Sequence, residues 1–364
     1  MLVEENVRFD EKKMALILKP TEACNFSCDF CSSSELVEDK RSRLGLDKVT
    51  AFLDRFPMTK FIFVVGGDPL MMSPEYYWTL IEFLEEKEYP AIISMTTNLW
   101  DFYKNPNKWK ELFLHPRIEI GTSFQFGGGR LIKPGVPLTE EIFTDIVRVY
   151  RKELGNKDLC FLAVVNKDNE HLALNNVYLA KALDLQCRLV WMSASGRSTE
   201  PYPMAKLYKI IVEIWKLGLA KYEQTALNIS EKLRGIEISC PLSRNCDGGM
   251  RSLNADGRYF SCGPLNDDLD PENEIDFESE VVKGENFYLP IQTARQGKFL
   301  KDECITCPMF QMCNACWKHV KDLKDSGLVE EQCTSMKAIS SDLMAMAKAE
   351  DINSLITEFN ELQI

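Results

Sequence analysis

The chain has 364 residues, of which 45% are hydrophobic and 27% charged, and its formal net charge is -12. This composition is that of a globular protein, and no apolar run approaches the roughly 18 residues that cross a bilayer, so we expect no membrane partner. The negative charge disfavours nucleic acid as a partner, because nucleic-acid-binding proteins neutralise phosphates with basic patches. The N-terminal residues lack the apolar segment of a signal peptide, which predicts a cytoplasmic protein.

Length and cysteine content both indicate more than one structural unit. A single core stops growing near roughly 250–300 residues, so we expect two domains. We place the first at 1–230 and a cysteine-rich one at 231–335, followed by a C-terminal helix at 336–364. Thiols stay reduced in the cytosol, and the 13 cysteines therefore indicate metal or redox chemistry rather than disulfides.

Short β-rich runs alternate with helical stretches through the first domain. Strands are predicted at 14–18, 61–65, 91–96, 118–124, 160–165 and 188–192. Helices are predicted near 46–56, 75–87, 107–114, 139–154, 170–183 and 203–220. This alternation predicts an α/β fold with a parallel sheet, curved or closed, and helices outside it. Ligands of such sheets bind at the carboxyl ends of the strands, which draws attention to the loops there.

The loop after the first predicted strand reads TEACNFSCDFC and holds Cys24, Cys28 and Cys31. Three interpretations are open from the residues alone. The thiols could be core residues of an amphipathic helix, or part of a zinc site that takes a fourth ligand from elsewhere. They could also hold three irons of a cubane cluster, whose fourth iron is then left to bind a small molecule.

The C-x3-C-x2-C spacing, with Phe30 directly before the last cysteine, resembles the signature of radical S-adenosylmethionine (SAM) enzymes. The resemblance implies a partial (β/α)6 TIM-like barrel and a 4Fe-4S cluster held by these three cysteines. In that family the cluster binds SAM and cleaves it reductively to methionine and a 5'-deoxyadenosyl radical, which abstracts a substrate hydrogen. The cofactor carries the chemistry, and the protein positions it and excludes water.

Further motifs follow later strands. The sequence Gly66-Gly67-Asp68-Pro69 looks like the GGEP motif of the family with Asp in place of Glu. Paired glycines let the backbone approach a ligand, and their carbonyls can accept hydrogen bonds from its ammonium group. On its own the same sequence is also typical of a plain turn. By resemblance, further SAM contacts are expected from four residues: Phe30, Asn98, Ser123 and Arg130. For Asn98, Ser123 and Arg130, a place in the core or at the solvent-exposed surface is equally open.

Eight more cysteines follow residue 239: Cys240, Cys246, Cys262, Cys304, Cys307, Cys313, Cys316 and Cys333. The CxxC pairs would suit zinc ribbons. Together with Gly257, five residues before Cys262, the run resembles the SPASM extension of radical SAM enzymes, although one interval is x2 where x3 is usual. That resemblance implies two auxiliary 4Fe-4S clusters. The first would be held by Cys240, Cys246, Cys262 and Cys316, and the second by Cys304, Cys307, Cys313 and Cys333.

The remaining candidates carry weaker expectations. Cys160 and Cys187 fall on predicted strands and are expected to be core residues. Tyr259 and Arg197 are either substrate contacts or structural, and no residue is assigned as a catalytic acid or base.

The motifs define the cofactors better than the substrate. We expect three 4Fe-4S clusters, SAM, and an oxidoreductase or isomerase that modifies a peptide or protein side chain by oxidation, crosslinking or epimerisation. An enzyme acting on a sugar, an amino acid or a nucleotide-linked compound is the alternative, and a non-catalytic zinc protein is the alternative of another class. Gly263 stands where sulfatase-maturing relatives carry an acid, which argues against that reaction. Expected partners are flavodoxin or ferredoxin as electron donor and a separate leader-peptide-binding protein.

Overall fold

The structure is a computed structural model that describes residues 13–33, 42–233, 249–263, 273–281, 304, 306–313 and 316–348. The predicted ligands Cys240 and Cys246 and the part of the predicted C-terminal helix beyond 348 lie outside these residues. Within them, no helix is both long enough and apolar enough to cross a bilayer.

The six predicted strands all form, and they pair in parallel in the order expected of successive βα units. With strands numbered along the chain, they are β1 (Ala15–Leu18), β2 (Phe61–Val64), β3 (Ile92–Thr96), β4 (Ile118–Ser123), β7 (Cys160–Val165) and β8 (Gln186–Trp191). Between β4 and β7, β5 (Leu131–Lys133) and β6 (Val136–Pro137) make a separate antiparallel hairpin.

Helices lie between the parallel strands. They are α1 (Leu46–Arg55), α2 (Pro74–Glu86), α3 (Trp100–Lys104), α4 (Pro106–Leu114), α5 (Glu140–Leu154), α6 (Ala173–Ala182), α7 (Met204–Lys216) and α8 (Gln224–Leu233). Along β1, β7 and β8 fully buried residues alternate with half-buried ones. One face of the sheet therefore packs into the core while the other is more open, as in a partial barrel.

Two strands that the sequence analysis did not predict extend this sheet. β9 (Met250–Leu253) pairs in parallel with β1, and β10 (Tyr259–Phe260) pairs antiparallel with β9. Both come from the predicted cysteine-rich domain. All residues of β9 are buried, so its sequence shows no alternation of polar and apolar residues from which a strand could have been predicted.

A buried cluster of polar groups joins β9 and β10 to the first helix. The Glu280 carboxylate accepts hydrogen bonds from Tyr259 Oη at 2.7 Å and Arg251 Nε at 2.8 Å. Arg55 of α1 approaches the same carboxylate at 3.2 Å. A buried ion pair offsets its desolvation cost only when such additional hydrogen bonds are present. Tyr259 is therefore a structural residue of this cluster.

We expect Glu280→Gln to lower the free energy of unfolding by about 3 kcal/mol, because it removes the charge that compensates the buried Arg251 guanidinium. Urea denaturation measures the change. Glu278→Gln is the matched control: its side chain is 85% exposed and 3.5 Å from Arg55, and we expect an effect below about 0.5 kcal/mol. Equal effects of the two substitutions would contradict the role given to Glu280.

Three further helices follow: α9 (Phe310–Cys313), α10 (Trp317–Asp325) and α11 (Val329–Lys348). α11 packs against α7 and α8, and α9 and α10 pack against α11. Near the start of α7, His319 Nε2 accepts a hydrogen bond from the Met204 amide at 3.2 Å. Gln332 Oε1 accepts one from the next amide, that of Ala205, at 3.0 Å. α10 and α11 are thus fixed to the first turn of α7, whose amides have no partner within the helix.

Burial, with a further contribution from Lys318, lowers the pKa of His319 to about 3. Above the ordinary histidine pKa of 6.5, His319 is neutral in both the folded and the unfolded chain, so its titration does not change the stability. As the pH falls below that value the unfolded chain takes up a proton that the folded chain does not, so stability is lost. Between pH 7 and pH 5 this loss should amount to about 2 kcal/mol.

We expect His319→Gln to remove that part of the pH dependence, measured by urea denaturation at both pH values. Substituting the exposed His171 in the same way should leave the wild-type pH dependence unchanged. A His319→Gln variant with the same loss between pH 7 and pH 5 as the wild type would contradict the buried neutral state.

Candidate functional site

The cysteine loop runs from the carboxyl end of β1 and is hydrogen-bonded through its backbone to the turn after β2. The Gly67 amide donates to the Thr21 carbonyl at 3.0 Å, and the Asp68 amide donates to the Ala23 carbonyl at 2.8 Å. The motifs that the sequence analysis placed after two separate strands therefore lie side by side at the carboxyl edge of the sheet.

The close approach of these two backbones explains the glycine pair. A Cβ atom added at Gly67 would lie 2.0 Å from the Ala23 carbonyl oxygen, and one at Gly66 would lie 2.6 Å from the Thr21 oxygen. Gly66 also has a φ of +110°, which side chains other than glycine's rarely tolerate. The Cβ positions of both glycines are thus occupied by the cysteine loop, and the hydrogen bonds expected from their carbonyls to a ligand stay a prediction.

Asp68 links three loops through its buried carboxylate. Its oxygens accept hydrogen bonds from the Leu70 amide at 2.9 Å, from Thr97 Oγ1 at 2.9 Å and from the Asn98 amide at 2.8 Å. Burial raises its pKa to about 6 even though these hydrogen bonds favour the ionised form. Asn98 continues the connection, because its Nδ2 donates to Asn25 Oδ1 of the cysteine loop at 2.6 Å.

Arg130 connects two segments, the end of β4 and the cysteine loop. Its guanidinium donates to Ser123 Oγ at 2.8 Å and to Gln125 Oε1 at 2.9 Å, and it lies 5.2 Å from the centre of the Phe30 ring. The side chain is buried. Gln125 orients this cation beside the cysteine loop.

The other side of the cysteine loop is held by two further segments. The Ser27 and Asp29 amides donate to carbonyls of the 129–131 segment at 2.8 Å each. Arg197, from the loop after β8, donates through its guanidinium to the Cys28 carbonyl at 3.1 Å and through its amide to the Cys31 carbonyl at 3.0 Å. Arg197 therefore has a structural contact with the loop, one of the two roles that the sequence left open.

The three thiols of the loop are close enough to interact electrostatically. Burial raises the pKa of Cys24 to about 12, with smaller contributions from Asp68 and from the other two thiols. Burial also raises the pKa of Cys28, although the nearby Arg130 acts in the opposite direction. Thiols in such a place need added positive charge to ionise, and a bound metal centre supplies it. The donor set fits the thiolate ligands of an iron-sulfur cluster.

A cavity of about 400 Å³ adjoins the loop. This is within the range of about 300–1,000 Å³ that is typical of small-molecule sites. Phe30 of the cysteine loop lines it together with Asn166, Met192 and Glu200, which come after β7 and β8. The sequence analysis did not single out these last three residues, although their position after predicted strands was a signal that could have found them.

A second group of thiols lies in the C-terminal helices. Cys313 interacts electrostatically with Cys333, Cys304 and Cys307, and burial raises its pKa to about 11. These four cysteines are the set that the SPASM resemblance assigns to the second auxiliary cluster, and their grouping fits thiolate ligation of such a cluster. Among the described residues, no three Cys, His, Asp or Glu side chains converge closely enough to enclose a single metal ion.

The other cysteines are placed as follows. Cys262 is buried just after β10, and Cys316 directly precedes α10. Because Cys240 and Cys246 lie outside the described residues, the first auxiliary set stays a prediction. Cys187 is buried on β8, and burial raises the pKa of Cys160 on β7 to about 12. Both have the environment of core residues, as expected.

We expect Gly67→Ala to displace the cysteine loop, because its Cβ would overlap the Ala23 carbonyl. The free energy of unfolding should fall by about 2–3 kcal/mol, and iron bound per chain after anaerobic reconstitution should drop. Gly121→Ala is the matched control, since its Cβ would make only ordinary contacts of 3.7 Å or more. Wild-type stability and iron content in Gly67→Ala would contradict the close backbone approach.

Comparison with known proteins agrees with this geometry. No protein-family model matches the chain. A curated GTP 3',8-cyclase of Mannheimia succiniciproducens is 26% identical over 107 residues, which are 28% of this chain and only 31% of that relative's length. The structure of anSMEcpe with bound AdoMet superposes with a TM-score of 0.69 at 16% identity, covering 94% of this chain and 98% of that one.

Streptococcus suis SuiB bound to the precursor peptide SuiA has a TM-score of 0.55 at 15% identity, covering 83% of this chain and 71% of that one. The anSMEcpe structure holds AdoMet, and SuiB has also been solved with S-adenosylmethionine bound. At this identity the likeness concerns the fold. The chain thus has the partial TIM-barrel fold of radical SAM enzymes, as the resemblance of its motifs predicts.

Proposed function

We propose that the chain is a radical SAM enzyme that abstracts a hydrogen atom from a peptide or protein side chain. The observation that carries the proposal is the joining of the three-cysteine loop to the GGDP turn by two backbone hydrogen bonds at the carboxyl edge of the barrel. A plain turn or a zinc loop does not require that contact. The thiols of Cys24, Cys28 and Cys31 would hold a 4Fe-4S cluster, which supplies the electron for reductive cleavage of SAM.

The surrounding residues bind and orient the cofactor in this proposal. Arg130, held by Ser123 and Gln125, presents a fixed cation for a carboxylate and screens the charge of the thiolates. Phe30 and Met192 line the adjoining cavity and would exclude water from an adenosine group. Asn98 is the middle residue of a short hydrogen-bonded chain from Asp68 to Asn25 and would keep the loop from shifting when a ligand binds.

A peptide is the substrate class that we propose. SuiB, which shares the fold, is bound to the precursor peptide SuiA in its structure. The reaction is expected to differ from sulfatase maturation, because Gly263 occupies the place of the acid in those relatives. An added Cβ at Gly263 would lie 3.1 Å from Ile17 Cδ1, so this position packs against β1.

Metal and cofactor analysis tests the proposal. Three 4Fe-4S clusters predict about 12 iron and 12 sulfide per chain after anaerobic reconstitution. Incubation with SAM and dithionite should then release 5'-deoxyadenosine. Alanine substitution of Cys24, Cys28 and Cys31 should abolish that release and remove about four irons, whereas Cys187→Ala, a core substitution on β8, should retain both.

Two results would contradict the proposal. Bound zinc without sulfide would favour the structural zinc protein. Iron-sulfur clusters whose reduction in the presence of SAM yields no 5'-deoxyadenosine would exclude the radical reaction. A peptide substrate is tested separately, by the transfer of deuterium from labelled peptide side chains into 5'-deoxyadenosine.

A further inference from the structure

Tyr208 on α7 carries a buried hydroxyl that the fold does not use. The residue is fully buried, and among the described residues its hydroxyl has no hydrogen-bond partner. Leaving such a group unsatisfied costs about 1–3 kcal/mol. Tyr150 and Tyr259, by contrast, donate to the Asp158 carbonyl at 3.1 Å and to Glu280 at 2.7 Å, although the buried Tyr76 hydroxyl also has no partner among the described residues. The Tyr208 hydroxyl therefore suggests a partner that the described part of the chain does not supply.

Hydrogen bonds on α7 place Tyr208 beside the C-terminal cysteines. Ala205, one helical turn before Tyr208, donates its amide to Gln332 Oε1, and Gln332 Nε2 in turn donates to Cys313 Sγ at 3.5 Å. α7, which carries Tyr208, packs against α11, which carries Gln332 and Cys333.

A second hydrogen bond connects α7 to the helix that begins directly after Cys316. The Met204 amide, four residues before Tyr208, donates to His319, which lies one turn after Cys316 on α10. The Trp191 ring contacts both rings: its centroid lies 5.1 Å from that of His319 and 6.5 Å from that of Tyr208. In agreement, burial raises the pKa of Tyr208 well above its usual range, and Cys313 and Cys316 both add to the rise.

Cys313 and Cys316 are three positions apart in the sequence but belong to different predicted clusters. The SPASM resemblance assigns Cys316 to the first auxiliary cluster and Cys313 to the second. A phenol hydroxyl near these two cysteines is a hydrogen-bond donor at neutral pH, and cluster sulfur atoms and thiolates are acceptors. Hydrogen bonds to the sulfurs are among the factors that set the reduction potential of such clusters.

We propose that the Tyr208 hydroxyl donates a hydrogen bond to the sulfur of Cys313 or Cys316 and raises the reduction potential of the auxiliary cluster that this cysteine holds. The proposal rests on the proposed function, because it requires the auxiliary clusters. Reduction adds negative charge to the sulfurs, so the hydrogen bond stabilises the reduced form more than the oxidised one. Tyr208 thus acts through the cluster and does not touch the substrate.

Redox titration of Tyr208→Phe, followed by electron paramagnetic resonance on the full reconstituted chain, tests the proposal. Removing only the hydroxyl should shift one auxiliary cluster to lower potential, so that less than half of it is reduced at the wild-type midpoint. The cluster of Cys24, Cys28 and Cys31 should keep its midpoint. Tyr150→Phe is the matched control, since it removes a buried hydroxyl from a barrel helix, and all its midpoints should equal those of the wild type.

Wild-type iron content with unchanged midpoints in Tyr208→Phe would overturn this inference and leave the proposed function standing. Zinc without sulfide in the wild type would overturn both. If Tyr208→Phe binds less iron, its midpoints cannot be compared with those of the wild type. Proton electron-nuclear double resonance of the reduced wild type then tests for the hydrogen bond directly. A strongly coupled exchangeable proton on an auxiliary cluster is the expected result, and the absence of one would overturn the inference.

Discussion

The close contact between the cysteine loop and the GGDP turn is the constraint on which the rest of the site depends. Two glycines without side chains let the backbone at 66–68 lie against Thr21 and Ala23, and the two amide-carbonyl hydrogen bonds fix their separation. Asp68 then joins this pair of loops to the turn after β3. Since the loops belong to adjacent parallel strands, the barrel itself brings them to one edge.

Much of the barrel could be predicted from the sequence. Each of the six parallel strands has a short β-rich run that is followed by a stretch of helical length, so the alternation of the two is informative. β9 and β10 could not be predicted in the same way, because β9 is buried on all sides and belongs to a cysteine-rich segment with short elements. Its pairing with β1 is a contact across more than 230 residues, which no local pattern reveals.

The candidate site shows the same division. The spacing of Cys24, Cys28 and Cys31 and the GGDP motif indicated a shared site before the structure placed them together. The role of Gln125 could not be predicted, because only the fold shows that this side chain orients the Arg130 guanidinium. Asn166 and Met192 line the cavity because they follow β7 and β8. Neither residue belongs to a recognisable sequence motif. The orphan hydroxyl of Tyr208 likewise depends on helix packing that a sequence does not show.

The central claim is that three thiolates of one loop hold a cluster with one iron left open for SAM. Electron paramagnetic resonance of the anaerobically reconstituted, reduced chain, recorded with and without SAM, tests this most directly. Ligation of the open iron should change the signal of one cluster, and that change should disappear when Cys24, Cys28 and Cys31 are replaced by alanine. A cluster signal from these cysteines that SAM leaves unaltered would contradict the account.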